Sequence, residues 1–261
     1  MTETIRIEID AQGVAQLVLA RVDKHNAMSA KMMDELHQAA IDLGKNEAVR
    51  VVVLAADGPT FCAGGDLEWM REQMGADRQT RMAEARRLAM MLMALDRMPK
   101  PLIGRIHGNA FGGGVGLASV CDCAIGAENI LMGLTEVRLG LIPATIGPYV
   151  IARMGAAKAR QVFFQGRRFD AAEAVGLGLL ARRVSSENLD AEVAREVESY
   201  LSAAPGAVAR AKALVHALDG RADSAAVETS IKALADAWET AEAAEAIDAF
   251  FTRRKPRWLA E

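Results

Sequence analysis

Between Arg50 and Asp57 the chain runs through VVVLAA, a short β-branched stretch with no polar face, and leaves it at Asp57-Gly58-Pro59. Such a stretch needs cover on both sides, so it predicts a buried strand leaving its sheet through a turn. The strand-loop-helix rhythm then repeats: a helix over 77–95, a strand over 101–107, a glycine-rich loop, a helix over 113–121 and a strand over 122–127. Pro99-Lys100-Pro101 breaks the long helix from the strand after it. Upstream, residues 3–20 alternate apolar and polar around Gly13, the pattern of a hairpin. Met32, Met33, Leu36, Ala40 and Leu43 then recur at helical spacing behind a candidate cap, Ser29. Strands alternating with helices predict an α/β core. From Asp170 onward strand signals nearly vanish, and Ala-rich amphipathic segments predict a helical appendage.

A chain of 261 residues can bury a sizeable core as one large domain or as a core with a small appendage. Its 31 Lys and Arg against 34 Asp and Glu leave a formal net charge of -3, so no overall basic field recruits nucleic acid or an anionic membrane. An anionic ligand must therefore be held by local groups. Cys62, Cys121 and Cys123 lack the paired spacings of a zinc site and read as reduced core thiols. No basic start followed by a continuous apolar stretch marks the N-terminus as a signal peptide, and no apolar run reaches membrane-span length. A cytoplasmic location is the expectation.

Three stretches carry candidate chemistry. In Phe61-Cys-Ala-Gly-Gly-Asp-Leu-Glu-Trp-Met70, paired glycines permit close backbone approach and exposed N–H groups, and Asp66 reads as a helix cap; a purely structural Gly-Gly-Asp turn is the alternative. In Ile106-His-Gly-Asn-Ala-Phe-Gly-Gly-Gly-Val-Gly-Leu-Ala118, three glycines sit at a strand-to-helix junction. Neither GxxxxGK[ST] nor GxGxxG is present, which leaves a second set of backbone donors or tight helix-strand packing. In Leu131-Met-Gly-Leu-Thr-Glu-Val-Arg-Leu-Gly-Leu-Ile-Pro143, Glu136 lies among apolar residues, where desolvation raises a carboxyl pKa as acid/base work near neutral pH requires. An ion pair with Arg138 or a neighbouring arginine is the alternative.

Taken together, the order and intervals of these stretches resemble the enoyl-CoA hydratase/isomerase (crotonase) family. The likeness runs from Arg21-Val-Asp-Lys-His-Asn-Ala-Met28 to Phe251-Thr-Arg-Arg-Lys-Pro-Arg-Trp258. It implies an α/β spiral of ββα units over residues 1–200 and a C-terminal helical segment over 201–261 that makes trimer contacts, in a homotrimer or a hexamer of paired trimers. It implies an acyl-CoA substrate and no cofactor beyond the coenzyme A that the substrate carries. The amides matching Gly65 and Gly113 would form an oxyanion hole, and Glu136 matches one of two catalytic glutamates. Lys24, Ala27, Ala63, Gly65, Asp66, Leu67, Glu68, Gly113 and Gly116 fall on positions that bind the substrate or its CoA.

One departure matters. Where family hydratases commonly carry the second glutamate, 136 − 116 = 20 residues before Glu136, this chain has Gly116, which predicts an open space. Family isomerases often work with one glutamate, so an isomerase with Glu136 as single proton shuttle stays open, as does a non-catalytic acyl-CoA-binding homologue. Asp66-Leu-Glu-Trp-Met-Arg71, Phe111-Gly-Gly-Gly-Val-Gly-Leu117 and Leu134–Ala144 are similar to hydratases of branched glutaconyl-CoA esters, such as 3-methylglutaconyl-CoA. Arg71, Arg86 and Arg138 are the candidates to meet a distal substrate carboxylate.

Overall fold

A computed structural model describes residues 2–218 and 239–259, together with Leu234 and Asp236. The N-terminal hairpin pairs β1 (Ile5–Ile9) with β2 (Val14–Leu19), Ile5 opposite Leu19, across a turn in which Gly13 takes φ +83. Helix α1 (Ala30–Lys45) starts where Ser29 Oγ accepts the Met32 N–H at 3.3 Å, and it buries Met32, Met33, Leu36, Ala40 and Leu43. β3 (Val51–Ala56) is buried at all six positions, as a stretch without a polar face requires.

From β3 onward the chain winds as a spiral. Each turn lays a strand in a large sheet and then a short strand in a second one: β3 is followed by β4 (Thr60–Cys62), β5 (Leu102–Ile106) by β6 (Asn109–Phe111), and β7 (Cys123–Ala127) by β8 (Leu131–Gly133). In the six-stranded sheet β3, β5 and β7 are parallel neighbours, and in the four-stranded sheet β4, β6 and β8 are parallel neighbours in the same order. Successive turns therefore lie side by side. Helices α2 (Leu67–Gly75) and α3 (Arg78–Arg97) close the first turn, α4 (Gly113–Ser119) the second, and α5 (Gly147–Met154) and α6 (Ala156–Phe163) the third.

β9 (Arg168–Asp170) adds antiparallel to β8, and after α7 (Ala171–Leu177) the strand β10 (Arg182–Val184) adds parallel to β7. Strand content thus continues past Asp170, in a piece too short to leave a pattern. α8 (Leu189–Leu201) packs across β3, β5 and β7, and α9 (Pro205–Leu218) follows. Arg50 ties this end to the core, donating to the Leu201 and Ala203 carbonyls at 2.9 and 3.1 Å. A further helix spans Ala241–Phe251. Of the helical segment expected over 201–261, residues 219–233, 235, 237, 238, 260 and 261 lie outside the described residues. Cys62, Cys121 and Cys123 are buried free thiols, and no helix among the described residues is long and apolar enough to cross a membrane.

Candidate active site

The three chemical stretches leave the C-terminal ends of adjacent parallel strands: Gly64-Gly65 after β4, Gly112-Gly113 after β6, and Glu136 after β8. Crevices at the carboxyl ends of parallel strands are where α/β sheets place ligands, because loops there converge without filling the space. Convergence is measurable at Gly112. A Cβ built on it would lie 3.0 Å from Glu136 Oε1 and 3.8 Å from Gly64 Cα, so one position touches both neighbouring loops. Gly112 also holds φ 49 and ψ -113, a conformation open only to glycine. Its N–H donates to the Gly133 carbonyl at 2.9 Å, which locks the middle loop to β8.

Gly65 forms a parallel bridge with Met28, made by Met28 N–H to the Gly64 carbonyl at 2.8 Å and Asp66 N–H to the Met28 carbonyl at 3.0 Å. In that geometry the flanking residues supply the ladder and the bridged residue's own N–H faces the other way. The Gly65 amide donates to no group among the described residues. Gly113 is the first residue of α4, where no preceding turn can accept its N–H, and Gly112 offers no side-chain cap. Two unspent backbone donors thus sit on neighbouring loops.

Glu136 begins a short 3-10 turn, Glu136–Leu139, and is half-buried. Burial pushes its carboxyl above the ordinary glutamate range, and its own backbone N–H offsets only part of that rise. Its Oε2 is buried with no hydrogen-bond partner, and Glu136 forms no ion pair among the described residues. The alternative pairing with Arg138 is absent: Arg138 is exposed and its side chain packs toward Gly166.

Asp66 is the helix cap that the sequence indicates. Its side chain, 5% exposed, pairs with Arg21 Nη2 at 2.9 Å and caps α2 by accepting the Glu68 and Trp69 N–H groups at 2.8 and 3.3 Å. Burial pushes its carboxyl up, but Arg21 and the two amides outweigh that and hold it below the usual carboxylate range. Both of its oxygens are engaged within the protein, so its side chain holds the loop. Lys24 and Glu68 are exposed and pair at 3.4 Å; Leu67 and Ala63 are exposed; Ala27 is buried beside the bridge. Arg71, Arg86 and Arg138 are all exposed.

The open space expected at Gly116 is not there. A Cβ on Gly116 would meet Ile146 Cγ2 at 2.7 Å and Leu92 Cδ1 at 3.5 Å, so the start of α5 and a side chain of α3 already fill the site. Ile146 and Leu92 are themselves buried, and the absence of a side chain at Gly116 leaves the room that Ile146 fills. Sequence reasoning missed Ile146, which stands in Ala144-Thr-Ile-Gly-Pro148 with no periodicity or motif to single it out. It also passed over Asn26, fully buried, whose Nδ2 donates to the Asp57 and Thr60 carbonyls at 2.8 Å each. A polar residue between His25 and the apolar Ala27-Met28 was the available signal.

A cavity of about 680 Å³ lies elsewhere, between α9 and the core. Four of its ionisable groups lie in pairs, Lys212 with Asp122 at 2.7 Å and His216 with Asp96 at 3.8 Å, whereas the Glu136 carboxyl has no such partner. Among the described residues no cluster of His, Cys, Asp and Glu is arranged to hold a metal ion. What the crevice offers is a desolvated carboxyl beside two free N–H donors, able to move a proton while negative charge develops on a nearby oxygen.

The family described as enoyl-CoA hydratase/isomerase matches residues 10–261. A Thermus thermophilus protein named as an enoyl-CoA hydratase is 31% identical over 258 residues, which cover 97% of this chain and 100% of that protein. Among solved structures, an enoyl-CoA hydratase from Shewanella pealeana superposes with TM-score 0.95 at 37% identity, covering 98% of this chain and 96% of that one. Pseudomonas aeruginosa AtuE gives TM-score 0.94 at 33% identity, covering 99% and 100%.

Proposed function

The chain belongs to the enoyl-CoA hydratase/isomerase family, and we propose that it hydrates an α,β-unsaturated acyl-CoA through a thioester enolate. The observation that carries this reading is the Glu136 carboxylate, desolvated, unpaired at Oε2 and with Oε1 3.0 Å from where a Cβ would stand on Gly112, the residue before the Gly113 amide. In the proposed reaction Glu136 takes one proton from water as the water oxygen bonds to C3. The double-bond electrons move toward C1, and the thioester oxygen takes the charge between the Gly65 and Gly113 amides. The protonated Glu136 then returns that proton to C2 and the carbonyl re-forms. Water has been added, and the carboxylate is restored. Each well-placed amide contributes on the order of 10²–10³ in rate and the acid/base group about 10²–10⁴. The thioester supplies the electron sink, which supports a reaction with no cofactor beyond the substrate's own CoA.

A branched glutaconyl-CoA such as 3-methylglutaconyl-CoA is the proposed substrate, supported by the likeness of Asp66–Arg71, Phe111–Leu117 and Leu134–Ala144 to hydratases of such esters. We assign the protein to the cytoplasm and its helical C-terminal segment to contacts in a homotrimer or a hexamer of paired trimers, which light scattering in solution would test.

A second reading has its own observation. Position 116, where family hydratases commonly carry a second glutamate, is glycine packed against Ile146 and Leu92, and a 1,3-proton shift needs only one carboxylate. In an isomerase Glu136 would remove a proton from C2 and return it at C4. The non-catalytic reading is disfavoured by Glu136 itself, since a desolvated carboxylate is costly to keep without use.

Incubating the protein with crotonyl-CoA, a 3-enoyl-CoA and 3-methylglutaconyl-CoA separates the three. Water addition to the branched ester with little conversion of the 3-enoyl ester is expected. Conversion of the 3-enoyl ester alone would make it an isomerase, and tight CoA-ester binding without turnover of any would make it a binder.

A further inference from the structure

Met28 belongs to the loop of one free amide by its backbone and to that of the other by its side chain. Its N–H and carbonyl make the bridge that turns the Gly65 N–H outward, at 2.8 and 3.0 Å. Its thioether crosses to α4, where a Cβ built on Gly113 would overlap Met28 Cε and lie 3.4 Å from Sδ. Gly65 and Gly113 follow different but paired strands, β4 and β6, whose ladder ends at Cys62 and Ala110, three residues before each amide, so the ladder alone does not fix how the two N–H groups are aimed. We propose that Met28 is a positioning residue that fixes the distance and angle between these two amides.

The segment carrying Met28 is built as a rigid strap. Arg21 Nη1 donates to the Ala27 carbonyl at 2.6 Å while Nη2 holds Asp66, and Ala63 N–H donates to the His25 carbonyl at 3.1 Å. His25 and Asn26 are consecutive non-glycine residues with φ of 50 and 53, a conformation rarely adopted by L side chains. Asn26 holds it there: its Oδ1 accepts the Arg21 N–H at 2.9 Å and its Nδ2 reaches two carbonyls beyond. The strained turn delivers Met28 at one fixed height against both loops. A buried methionine, 2% exposed, is ordinarily a filler of irregular gaps. Here the gap it fills is the one an ordinary residue at 113 would occupy, and its own backbone aims the other donor.

The inference rests on the two amides acting as the oxyanion hole, so the test must separate failure of Met28 from failure of that reading. The probe is a chromophoric cinnamoyl-CoA ester, whose absorbance moves to longer wavelength when its carbonyl is polarised, read together with steady-state kinetics on the best substrate. Wild type is expected to red-shift the bound ester. Met28→Ala, checked for native melting, should lose part of that shift and about ten- to a hundredfold in kcat with KM held within about twofold, the pattern of a misplaced donor.

Gly113→Ala keeps its N–H but drives a methyl into Met28, so it should lose both readouts, and the double variant Met28→Ala/Gly113→Ala should regain part of them. A folded Met28→Ala with wild-type shift and kcat would overturn the proposal while leaving the oxyanion hole standing. No red shift in wild type would overturn the hole, and Met28's role with it. Should Met28→Ala not fold, Met28→Leu keeps the volume but not the reach, and the same two readouts decide.

Discussion

Asp66 and Glu136 are both carboxylates that follow short strands of the four-stranded sheet, and both are desolvated. Asp66 has Arg21 and two backbone amides, which hold it below the usual carboxylate range although burial pushes the other way. Glu136 has no ion pair among the described residues and a buried Oε2 without a partner, so burial raises it. The pair shows that burial alone does not make a carboxylate chemically available. What decides is whether the fold supplies partners for it, and here one loop is tied down by its carboxylate while the other leaves its carboxylate free to exchange a proton.

The comparison breaks most visibly if the two roles are exchanged by experiment. Glu136→Gln preserves shape and removes basicity, so turnover should fall by at least about 10²-fold, on the order of 3 kcal/mol of barrier, in a protein that still melts cooperatively. Near-normal turnover would remove Glu136 from the proton path. Asp66→Ala should instead act on stability, by about 2 kcal/mol in equilibrium denaturation, because it strips a cap and leaves the Arg21 guanidinium without its partner. An Asp66→Ala protein with wild-type stability and no turnover would mean that Asp66, not Glu136, had been misread.

The contrast between these carboxylates also marks what a sequence can carry. Elements with a long pattern were legible: α1 behind its Ser29 cap, the buried β3 and the helix start at Asp66 all lie where periodicity and capping chemistry place them. β4, β6 and β8, which aim the three site loops, are three residues each and too short to show alternation. They follow from the resemblance and the topology, not from any local signal. Glu136 was legible because an acid among apolar residues is conspicuous, whereas its lack of an arginine is a fact of three dimensions. The commitment of Asp66 to Arg21, 45 residues away, and the plug at Gly116 by Ile146, 30 residues away, depend on contacts between turns of the spiral that no spacing announces.

That plug sharpens the comparison, because it fills the space into which a side chain at 116 would grow. Gly116→Ala would gain about 1 kcal/mol of helix propensity on its own, yet its methyl would stand 2.7 Å from Ile146 Cγ2 in a packed core. The overlap should win, giving a net loss of about 1 kcal/mol. In an Ile146→Ala background the same methyl enters vacated space and should stabilise, so a double-mutant cycle should return a coupling of about 1–2 kcal/mol. A stabilising Gly116→Ala in the wild-type background would show the flank to be open and return a two-carboxylate water site to consideration.

The smallest effect concerns the stability cost of leaving Glu136 free. Because burial raises its pKa in the folded state, folding favours the protonated form, and stability associated with this group is full below the ordinary glutamate value and lost as pH rises through the raised folded value. Glutamine has no such dependence. Glu136→Gln should therefore melt higher than wild type at neutral and mildly alkaline pH, and the gain should shrink to nothing as pH falls below about 4, where glutamate is protonated folded or unfolded. The same raised pKa places the acid limb of wild-type turnover above the ordinary carboxylate value, since the carboxylate is the active base. Thermal melts of both proteins across pH, beside a pH profile of wild-type turnover, test both signs at once. A gain that grows toward acid pH would mean that Glu136 finds a cationic partner in solution and behaves as a second Asp66.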